Sequence, residues 1–426
     1  MRVMVIGSGG REHTMVETLL ASPSVTEIFA LPGSDAIGKR ATCLPGDPLS
    51  PADVVAAAQA NKVDLVLVGP EAPLAAGVVD GLQEAGIPAF GPTKQASRLE
   101  WSKAYAKSFM ERHGIPTAPG KVFDDPAEAE DYIRSRGGPI VVKADGLAAG
   151  KGVVVAADTE TALEAVDAMM RRGRFGESGR RVVIEERLQG PEVTLLAFTD
   201  GETVRLCPAS QDHKALYDGG EGPNTGGMGA YSPVPFLDPD LVSRLEKDVL
   251  QRTVAGMAAE GIPFRGVLYA GMMLTEDGPY VLEFNCRLGD PEAQVILPCL
   301  ESDFAALALA CAQGNLAQQP WVWRDEAAVC VVLAAHGYPG EPRKGDVIQG
   351  LDETGHVPGM PNVQVFHAGT RWDSDKGWVT NGGRILNVVA RGPSLAGARE
   401  TVYAAIEKIH FDGMHFRRDI AAAAAG

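Results

Sequence analysis

The sequence predicts a multidomain protein that combines α/β and α+β folds and begins with a Rossmann-like parallel sheet. Residues 2–90 alternate short apolar strands with helices, a pattern typical of a parallel sheet covered on both faces. Residues 120–188 form a second, compact strand–helix unit, and residues 327–426 form a third section with short strands and one helix. The chain of 426 residues is also too long for one ordinary core, so several domains are expected.

Each element is predicted from an apolar run bounded by turn residues. In the first section a long polar-faced helix at 93–114 leads into the next section. Glycine loops follow two of the strands, at 7–10 and 68–74, where parallel sheets place their binding sites. The predicted strands of this section are 2–6, 26–31 and 63–69, and its predicted helices are 12–21, 51–60 and 74–86.

The remainder of the chain is predicted to mix strands, helices and one long loop. A hairpin turns at Asp200–Gly201, and a glycine-rich loop without regular structure covers 210–233. The alanine-rich tail at 421–426 has no core to join. The predicted strands are 120–125, 139–145, 152–156, 181–188, 264–274, 278–285, 327–335 and 385–392. The predicted helices are 126–136, 159–172, 238–260 and 395–409, with more than one helix near 292–313.

Composition and charge limit the class of function. The formal net charge of −16 argues against a nucleic-acid-binding surface and favours small-molecule substrates. No apolar run reaches membrane-spanning length, and the first strand begins at residue 2, which leaves no room for a signal peptide. The six cysteines include no C-x-x-C pair, so we expect reduced thiols, no zinc site of that kind and a cytoplasmic location.

The stretch "VIGSGGREH" at 5–13 begins like a dinucleotide-binding loop but departs from that fingerprint. Gly7 and Gly9 match G-x-G-x-x-G, whereas Glu12 stands where the third glycine allows close helix packing. The acidic residue expected after the second strand is also missing, which disfavours an NAD-dependent dehydrogenase. Two interpretations remain: the loop amides bind an anion such as phosphate at a helix N-terminus, or the loop is a tight turn without a ligand.

The segment "VVKADGLAAGKGVVV" at 141–155 is a glycine-rich loop between two strands. Its glycines allow backbone amides to approach a polyphosphate, and Lys143 and Lys151 can neutralise phosphate charge. The spacing does not match a Walker A loop, because Val153 follows Gly152. The alternative is a glycine hairpin with solvated lysines.

The segment "VVIEERLQGPEVT" at 182–194 is a strand that ends in acids, followed by a turn and a second strand. Backbone groups beside Glu185 and Glu186 can pair with an adenine edge, and Glu192 can accept hydrogen bonds from ribose hydroxyls. The alternative is a hairpin with solvated glutamates, which is the better interpretation of this segment taken by itself.

The loop "SQDHKALYDGGEGPNTGGMGAYSP" at 210–233 combines glycines and prolines with clustered polar residues. A loop of this length without regular structure is usually functional or disordered. Met228 and Tyr231 are embedded among its small residues, which disfavours disorder. We therefore predict a cradle of backbone amides for an anionic substrate.

The segment "YVLEFNCRLGDPEAQ" at 280–294 is the strongest single indication of a functional site in the sequence. Alternate residues of a strand share one face, so Glu283, Asn285 and Arg287 are predicted to point together. A carboxylate and an amide oxygen are hard ligands suited to Mg²⁺, and Arg287 adds a cation beside them. The alternative is a structural salt bridge from Arg287 to Asp290 or Glu292.

Taken together, these segments resemble the ATP-grasp ligases, and most closely the glycinamide ribonucleotide synthetases, the phosphoribosylamine–glycine ligases of purine biosynthesis. The resemblance rests on "VIGSGGREH", "KADGLAAGKGV", "QDHK…GPNTGGMGAYSP" and "EFNCRLGDPE", and it extends to "HGYPGEPRKGDVI", "FHAGT" and "VTNGGRILNVVA" near the C-terminus. It implies an N-terminal domain at 1–100, an ATP-grasp domain at 101–320 whose mobile lid spans 120–188, and a small mixed C-terminal domain at 321–426.

The resemblance also implies an activity, cofactors and partners. The reaction joins glycine to 5-phosphoribosylamine through a glycyl phosphate and uses ATP with Mg²⁺ or Mn²⁺. The implied partners are these small molecules, without nucleic acid or membrane, and the implied state is a monomer or weak homo-oligomer. The rival functions are another ATP-grasp carboxylate–amine ligase, a biotin-carboxylase-like enzyme, and a catalytically silent nucleotide-binding regulator.

The matched motifs imply a set of site residues, and the chain departs from the family pattern at Ser34, Ala215, Gly220, Leu288 and Ala293. The implied catalytic residues are Arg287, Lys214 and Asp212, and the implied metal ligands are Glu283 and Asn285. The implied ATP-binding residues are Lys103, Lys143, Gly150, Lys151, Gly152, Glu185, Glu186, Leu188 and Glu192. The implied substrate-binding residues are Gly9, Gly10, Glu12, Glu71, His213, Asn224, Thr225, Gly226, Gly227, Met228 and Asp290.

Overall fold

The first ninety residues form a five-stranded parallel sheet in the order β3-β2-β1-β4-β5, flanked by helices, as the sequence predicts. The computed structural model describes residues 1–148 and 152–425. The helix predicted at 74–86 is two helices, because Gly77 adopts the left-handed conformation with φ of 91° and caps the first of them. The elements are β1 Arg2–Gly7, α1 Gly10–Leu20, β2 Glu27–Pro32, β3 Thr42–Cys43, α2 Pro51–Ala60, β4 Leu65–Val68, α3 Glu71–Ala76, α4 Val78–Glu84 and β5 Ala89–Phe90.

The prediction of a single helix at 93–114 is wrong, because the chain forms two helices there, α5 Arg98–Trp101 and α6 Lys103–Arg112. Ser102 between them is extended, and its hydroxyl accepts a hydrogen bond from the Tyr105 amide at 3.2 Å as an N-cap. Asp145, from the next unit, accepts from the Ala104 amide at 2.7 Å. The start of α6 is therefore fixed in part by a residue 41 positions away, which a local pattern cannot reveal.

Residues 120–186 form an antiparallel sheet in the order β6-β9-β7-β8 with two helices on it. This unit has a hydrophobic core of its own, in which Ile133, Val142 and Ile184 are fully buried. A separate core allows the unit to move as one body relative to the rest of the chain. Its elements are β6 Gly120–Phe123, α7 Pro126–Arg136, β7 Ile140–Ala144, β8 Val153–Ala156, α8 Thr159–Val166 and β9 Val182–Glu186.

The central section contains a four-stranded antiparallel sheet in the order β11-β10-β16-β17. The predicted hairpin at Asp200–Gly201 joins β10 and β11. Helix α12 packs on β10 and β16. The elements are β10 Glu192–Asp200, β11 Val204–Leu206, β12 Gln211–Asp212, β13 Ala215–Tyr217, β14 Glu221–Asn224, β15 Gly229–Ser232, α9 Pro239–Leu245, α10 Arg252–Ala259, β16 Arg265–Thr275, β17 Gly278–Asn285, α11 Ala293–Ile296 and α12 Phe304–Gln313.

The last section completes a five-stranded sheet in the order β12-β15-β18-β22-β19, with α13 packed on it. Strand β15 is wholly buried inside this sheet, so the prediction that 210–233 lacks regular structure is wrong. The tail is not free of the core either, because Ala421 is buried. The elements are β18 Ala327–Ala334, β19 Val363–His367, β20 Thr370–Asp373, β21 Gly377–Thr380, β22 Arg384–Gly392 and α13 Leu395–Ile406.

Two further features bear on the predictions from composition. All six cysteines are free thiols, as expected from their spacing. Across 1–148 and 152–425, no helix combines the length and the apolar character needed to cross a membrane.

Candidate active site

The end of β17 carries Glu283 and Asn285, and Arg287 follows just beyond the strand. In the register with β16, Glu283 lies opposite Gly271 and Asn285 lies opposite Tyr269. Asn285 accepts a hydrogen bond from the Arg287 guanidinium at 3.2 Å. The structure therefore brings this predicted trio together at one end of an edge strand.

The alternative interpretation required a salt bridge from Arg287 to Asp290 or Glu292, and neither salt bridge forms between these described residues. Its guanidinium contacts Glu100 at 3.0 Å and Glu71 at 3.5 Å. Burial alone would lower the pKa of Arg287, but these carboxylates outweigh it and hold the pKa above its ordinary value. For Glu71, burial raises the pKa, but the charges of Arg287 and Arg11 outweigh burial and hold the pKa of Glu71 below its ordinary value. Two acids from the N-terminal third of the chain thus hold the guanidinium of Arg287 in place.

Glu283 lies in the field of three lysines. Burial raises the pKa of its carboxyl group, but the charges of Lys214, Lys103 and Lys143 outweigh this and hold the pKa below its ordinary value. Burial in turn lowers the pKa of Lys103, whose ammonium donates to the Gly146 carbonyl at 3.3 Å. The charges of three ammonium groups therefore act on one carboxylate, and ammonium groups of this kind can also neutralise the charge of a polyphosphate.

The 120–186 unit contacts β17 through Lys143. Its ammonium donates to the Leu282 carbonyl at 2.9 Å and pairs with Glu185. Glu185 also accepts a hydrogen bond from Lys107 at 3.0 Å. Burial raises the pKa of Glu185, but the charges of Lys143 and Lys107 outweigh burial and leave the pKa lowered. The side chain of Glu185 is therefore occupied within the protein, so a nucleotide at this strand would meet its backbone.

The other residues predicted to bind ATP take different places. Glu186 is exposed and accepts a hydrogen bond from Arg136 on the same unit, and Leu188 is half-buried after β9. Glu192 accepts from the Lys214 ammonium at 2.8 Å, so its carboxylate faces the lysine cluster. Gly152 lies directly before β8, whereas Gly150 and Lys151 lie outside the described residues.

The segment from Asp212 to Met228 folds back on itself. Lys214 lies 3.5 Å from Asp212, and the two acids Asp212 and Glu192 help to raise its pKa despite burial. The Thr225 hydroxyl donates to the Lys214 carbonyl at 2.8 Å and accepts from the Gly227 amide at 3.0 Å. Asn224 is exposed at the end of β14, and Met228 is fully buried. The loop therefore bonds to the backbone of Lys214 through Thr225.

His213 and Gly226 lie close to residues from the C-terminal section of the chain. Burial and the nearby Arg417 lower the pKa of His213 to about 4, and within the described part of the chain its Nδ1 has no hydrogen-bond partner. The Gly226 amide donates to the Tyr338 hydroxyl at 3.0 Å, and its carbonyl accepts from Arg384 at 2.7 Å. The C-terminal section therefore positions the predicted substrate loop.

The N-terminal glycine loop is closed by the side chain of Glu12. This carboxylate is buried, accepts from the Gly9 amide at 2.7 Å and pairs with Arg11 at 2.6 Å. A Cβ placed on Gly69 would lie 2.2 Å from its Oε1. Glu12 thus fills the space between the two glycine loops, and the Gly9 amide already has a partner, so an anion at this loop would depend on other groups.

Asp290 joins this end of the site to the C-terminal section. Its carboxylate contacts Arg384 at 3.2 Å and accepts from Gln294 at 2.8 Å. Burial raises its pKa, but Arg384 and Arg11 outweigh that effect and leave the pKa lowered. Gly10 lies against Gln294 and Asn387, and a Cβ on Gly9 would lie 3.9 Å from Asp290.

Several residues of the site were missed by sequence reasoning, namely Glu100, Tyr269, Glu292 and Arg384. Glu100 lies in α5, and its carboxylate accepts from the Cys286 amide at 2.7 Å as well as from Arg287. Burial raises the pKa of Glu100 even beside Arg287. Glu292 was within the quoted motif and could have been identified there, whereas the other three carry no local signal.

Glu283 and Asn285 fit a divalent cation that also binds phosphate oxygens. Mg²⁺ in such sites takes one or two protein oxygens and completes its shell with water and phosphate. Among the described residues, no group of three or more His, Cys, Asp and Glu side chains could hold a metal by itself. The pair is therefore a partial set of ligands that a triphosphate would complete.

The fold and the site define an ATP-grasp enzyme: a central antiparallel sheet, a separate unit that contacts its edge strand, and lysines whose charges act on Glu283. Sequence models of the phosphoribosylglycinamide synthetase family match the chain as an N domain at 1–100, an ATP-grasp (A) domain at 101–293 and a C domain at 328–423. The chain belongs to the phosphoribosylglycinamide synthetase family.

Individual relatives agree with this assignment. A phosphoribosylamine–glycine ligase from Streptomyces coelicolor is 50% identical over 427 residues, which cover 100% of both chains. The crystal structure of a phosphoribosylamine–glycine ligase from Thermotoga maritima superposes with a TM-score of 0.84 at 36% identity, covering 99% of this chain and 100% of that one. A biotin carboxylase from Campylobacter jejuni, with a TM-score of 0.73 at 16% identity over 97% and 92% of the two chains, shares the fold alone.

Proposed function

We propose that this protein joins glycine to 5-phosphoribosylamine at the expense of ATP and forms glycinamide ribonucleotide, ADP and phosphate in purine biosynthesis. Support comes from membership in the family and from relatives along the whole chain that carry the name of this ligase. The observation that carries the proposal is the end of β17, where the charges of three lysines and of Arg287 act on Glu283.

The reaction needs an activated carboxylate, because a carboxylate is a poor electrophile. Transfer of the terminal phosphoryl group of ATP to glycine gives glycyl phosphate, from which phosphate leaves when the sugar amine attacks. The anionic glycine and the triphosphate repel each other, so the protein contributes by positioning and by charge neutralisation. Lys103, Lys143 and Lys214 supply positive charge, and the planar fork of Arg287 suits a carboxylate or a phosphoryl group.

Glu283 and Asn285 would hold Mg²⁺ or Mn²⁺, which, when bound, neutralises phosphate charge beside the transferred group. The nucleotide base would lie against the end of β9 near Glu185, Glu186 and Leu188, and closure of the 120–188 lid would exclude water from the acyl phosphate. Glycine and the sugar phosphate would lie between Asp212–Met228, Asp290 and the loop beside Glu12.

We also propose the division into domains at 1–100, 101–320 and 321–426, a monomer or weak homo-oligomer, and a cytoplasmic location. The separate core of the 120–186 unit supports its role as a lid, and the six free cysteines agree with a reducing compartment. Sedimentation analysis tests the oligomeric state, and cell fractionation tests the location.

The assay for the main proposal is glycine-dependent release of ADP with 5-phosphoribosylamine generated in the reaction. Omission of glycine should abolish ADP release, and replacement of glycine and amine by bicarbonate and biotin tests the biotin-carboxylase-like alternative. Glu283→Gln should raise the Mg²⁺ requirement and lower turnover. Its matched control is Glu276→Gln, an exposed residue in the turn of the same hairpin, which should behave as the parent protein. Equal activity without glycine would refute the proposal.

A further inference from the structure

Glu292 is a buried acid at the start of α11 that has no role in the proposed function so far. Its side chain is only 3% exposed. Its Oε1 accepts a hydrogen bond from the Tyr269 hydroxyl at 2.9 Å, and that hydroxyl accepts in turn from Thr194 at 3.1 Å. Burial and nearby carboxylates raise the pKa of Tyr269, so the phenol stays protonated and donates. The carboxylate is therefore held by a neutral donor.

The charged and titratable groups that act on Glu292 come from several elements. Asp212 and Lys214 belong to the substrate loop, Arg287 follows β17, and Arg384 and Cys330 belong to the C-terminal sheet. Glu292 directly follows Pro291, which lies against Gly227 of the proposed substrate loop, since a Cβ on Gly227 would lie 2.5 Å from Pro291. Burial, followed by the charge of Asp212, raises the pKa of Glu292 to about 7.

The second half of the proposed reaction requires a proton acceptor. When the sugar amine attacks glycyl phosphate, an N–C bond forms and the C–O bond to phosphate breaks, with the electron pair leaving on phosphate. The nitrogen must then lose one proton to become an amide nitrogen. An acceptor whose pKa lies near the working pH serves this step best.

We propose that Glu292 accepts the proton that the attacking amine loses, an inference that rests on the proposed function. The proton passes to solvent after the product leaves, which restores the carboxylate for the next turnover. Glu292 acts directly on the reacting nitrogen, and Tyr269 is a positioning residue that holds its carboxylate.

The other acids of the site are less suited to this role. Glu283 faces three lysines that keep it ionised, and Glu100 is engaged by Arg287 and by the Cys286 amide. Asp212 forms an ion pair with Lys214, and Lys214 also pairs with Glu192. Glu292 alone among these described acids takes its direct hydrogen bond from a neutral side chain, so protonation breaks no ion pair.

The test separates formation of glycyl phosphate from its use. Hydroxylamine in place of the sugar amine traps glycyl phosphate as the hydroxamate, and its weakly basic nitrogen loses a proton to water without help from the protein. In Glu292→Gln, amide formation should fall by about 100-fold or more, while hydroxamate formation changes by less than about threefold. The exposed Glu276→Gln should change neither rate.

The pH dependence provides a second readout that a structural role would not move. The hydrogen bond from Tyr269 favours the charged form of Glu292, so Tyr269→Phe should raise the pKa of Glu292. The acid limb of amide formation should then move to higher pH, with no such change in hydroxamate formation.

Equal losses of amide and hydroxamate formation in Glu292→Gln would overturn the role of Glu292, as would an unchanged rate of amide formation. If the parent protein makes neither ADP nor hydroxamate from glycine and ATP, the proposed function itself fails. These two outcomes are distinguished by the parent protein alone.

Discussion

Replacement of Gly69 by alanine tests whether Glu12 fills the space between the two N-terminal glycine loops. A Cβ at position 69 would lie 2.2 Å from Oε1, 2.5 Å from Cγ and 2.7 Å from Cδ of Glu12. The backbone of Gly69 lies outside the left-handed region, so an alanine suffers no conformational strain there. The whole cost therefore comes from the clash with one side chain.

That side chain cannot move without loss. Glu12 is 3% exposed and is held by the Gly9 amide and by Arg11. Overpacking in a buried site costs about 1–3 kcal/mol. Displacement of the carboxylate also weakens a hydrogen bond to a charged group, worth about 1.5–3 kcal/mol. We expect Gly69→Ala to lower the free energy of unfolding by about 3 kcal/mol.

The assay is urea denaturation followed by circular dichroism, applied to a double-mutant cycle with Glu12→Ala. In the Glu12→Ala background the clash is gone, and Gly69→Ala should cost less than about 0.5 kcal/mol. Gly38→Ala is the control, because its Cβ would meet Cys43 at an ordinary 3.5 Å. A cost for Gly69→Ala that is the same in both backgrounds would refute the reasoning.

Three further predictions concern the site and its pH dependence. Arg287→Lys keeps the charge but loses the fork that reaches Glu71 and Glu100. Turnover should fall because the activation free energy rises by about 2–4 kcal/mol. The control variant Arg391→Lys should retain full turnover. Gly227→Val places a Cβ 2.5 Å from Pro291 at φ of 113°, so the KM for glycine or the amine should rise more than that for ATP, and an effect on ATP alone would contradict this. Burial lowers the pKa of His367 to about 4, so the unfolded chain binds the extra proton between about pH 4 and 6.5 and stability falls as pH decreases through that window. His367→Gln removes up to about 3 kcal/mol of this loss, and thermal melting at pH 7.5 and pH 5 should show a smaller difference than in the parent protein.

Local patterns predicted the parts of the fold and site that depend on neighbouring residues. Strand alternation predicted that Glu283 and Asn285 share one face of a strand, and the glycine loop that follows β1 was found from its residues alone. The mismatch of Glu12 with a dinucleotide loop was also visible, and the structure shows its cause in the contact with Gly69. Each of these motifs is encoded within about ten residues, whereas the contact between Glu12 and Gly69 joins distant segments.

The parts that were missed depend on contacts between distant segments. Glu100 meets Cys286 across 186 positions, and its own segment contains nothing that marks it as a partner. The break at Ser102 is fixed in part by Asp145, and β15 has too few apolar side chains to be recognised as a strand. Tertiary contacts override local preference at each of these places.

The sheet that contains β15 has a consequence for synthesis of the chain on the ribosome. Strand β15 is bonded to β18, which is translated about one hundred residues later. Tyr338 and Arg384, the partners of Gly226 in the preceding loop, are translated later still. A nascent or prematurely terminated chain that lacks these residues exposes the edge of β15 and leaves Gly226 without its partners. The loop around Gly226 therefore gains its full set of partners only after Arg384 has been translated, and a product truncated before β18 lacks all of them.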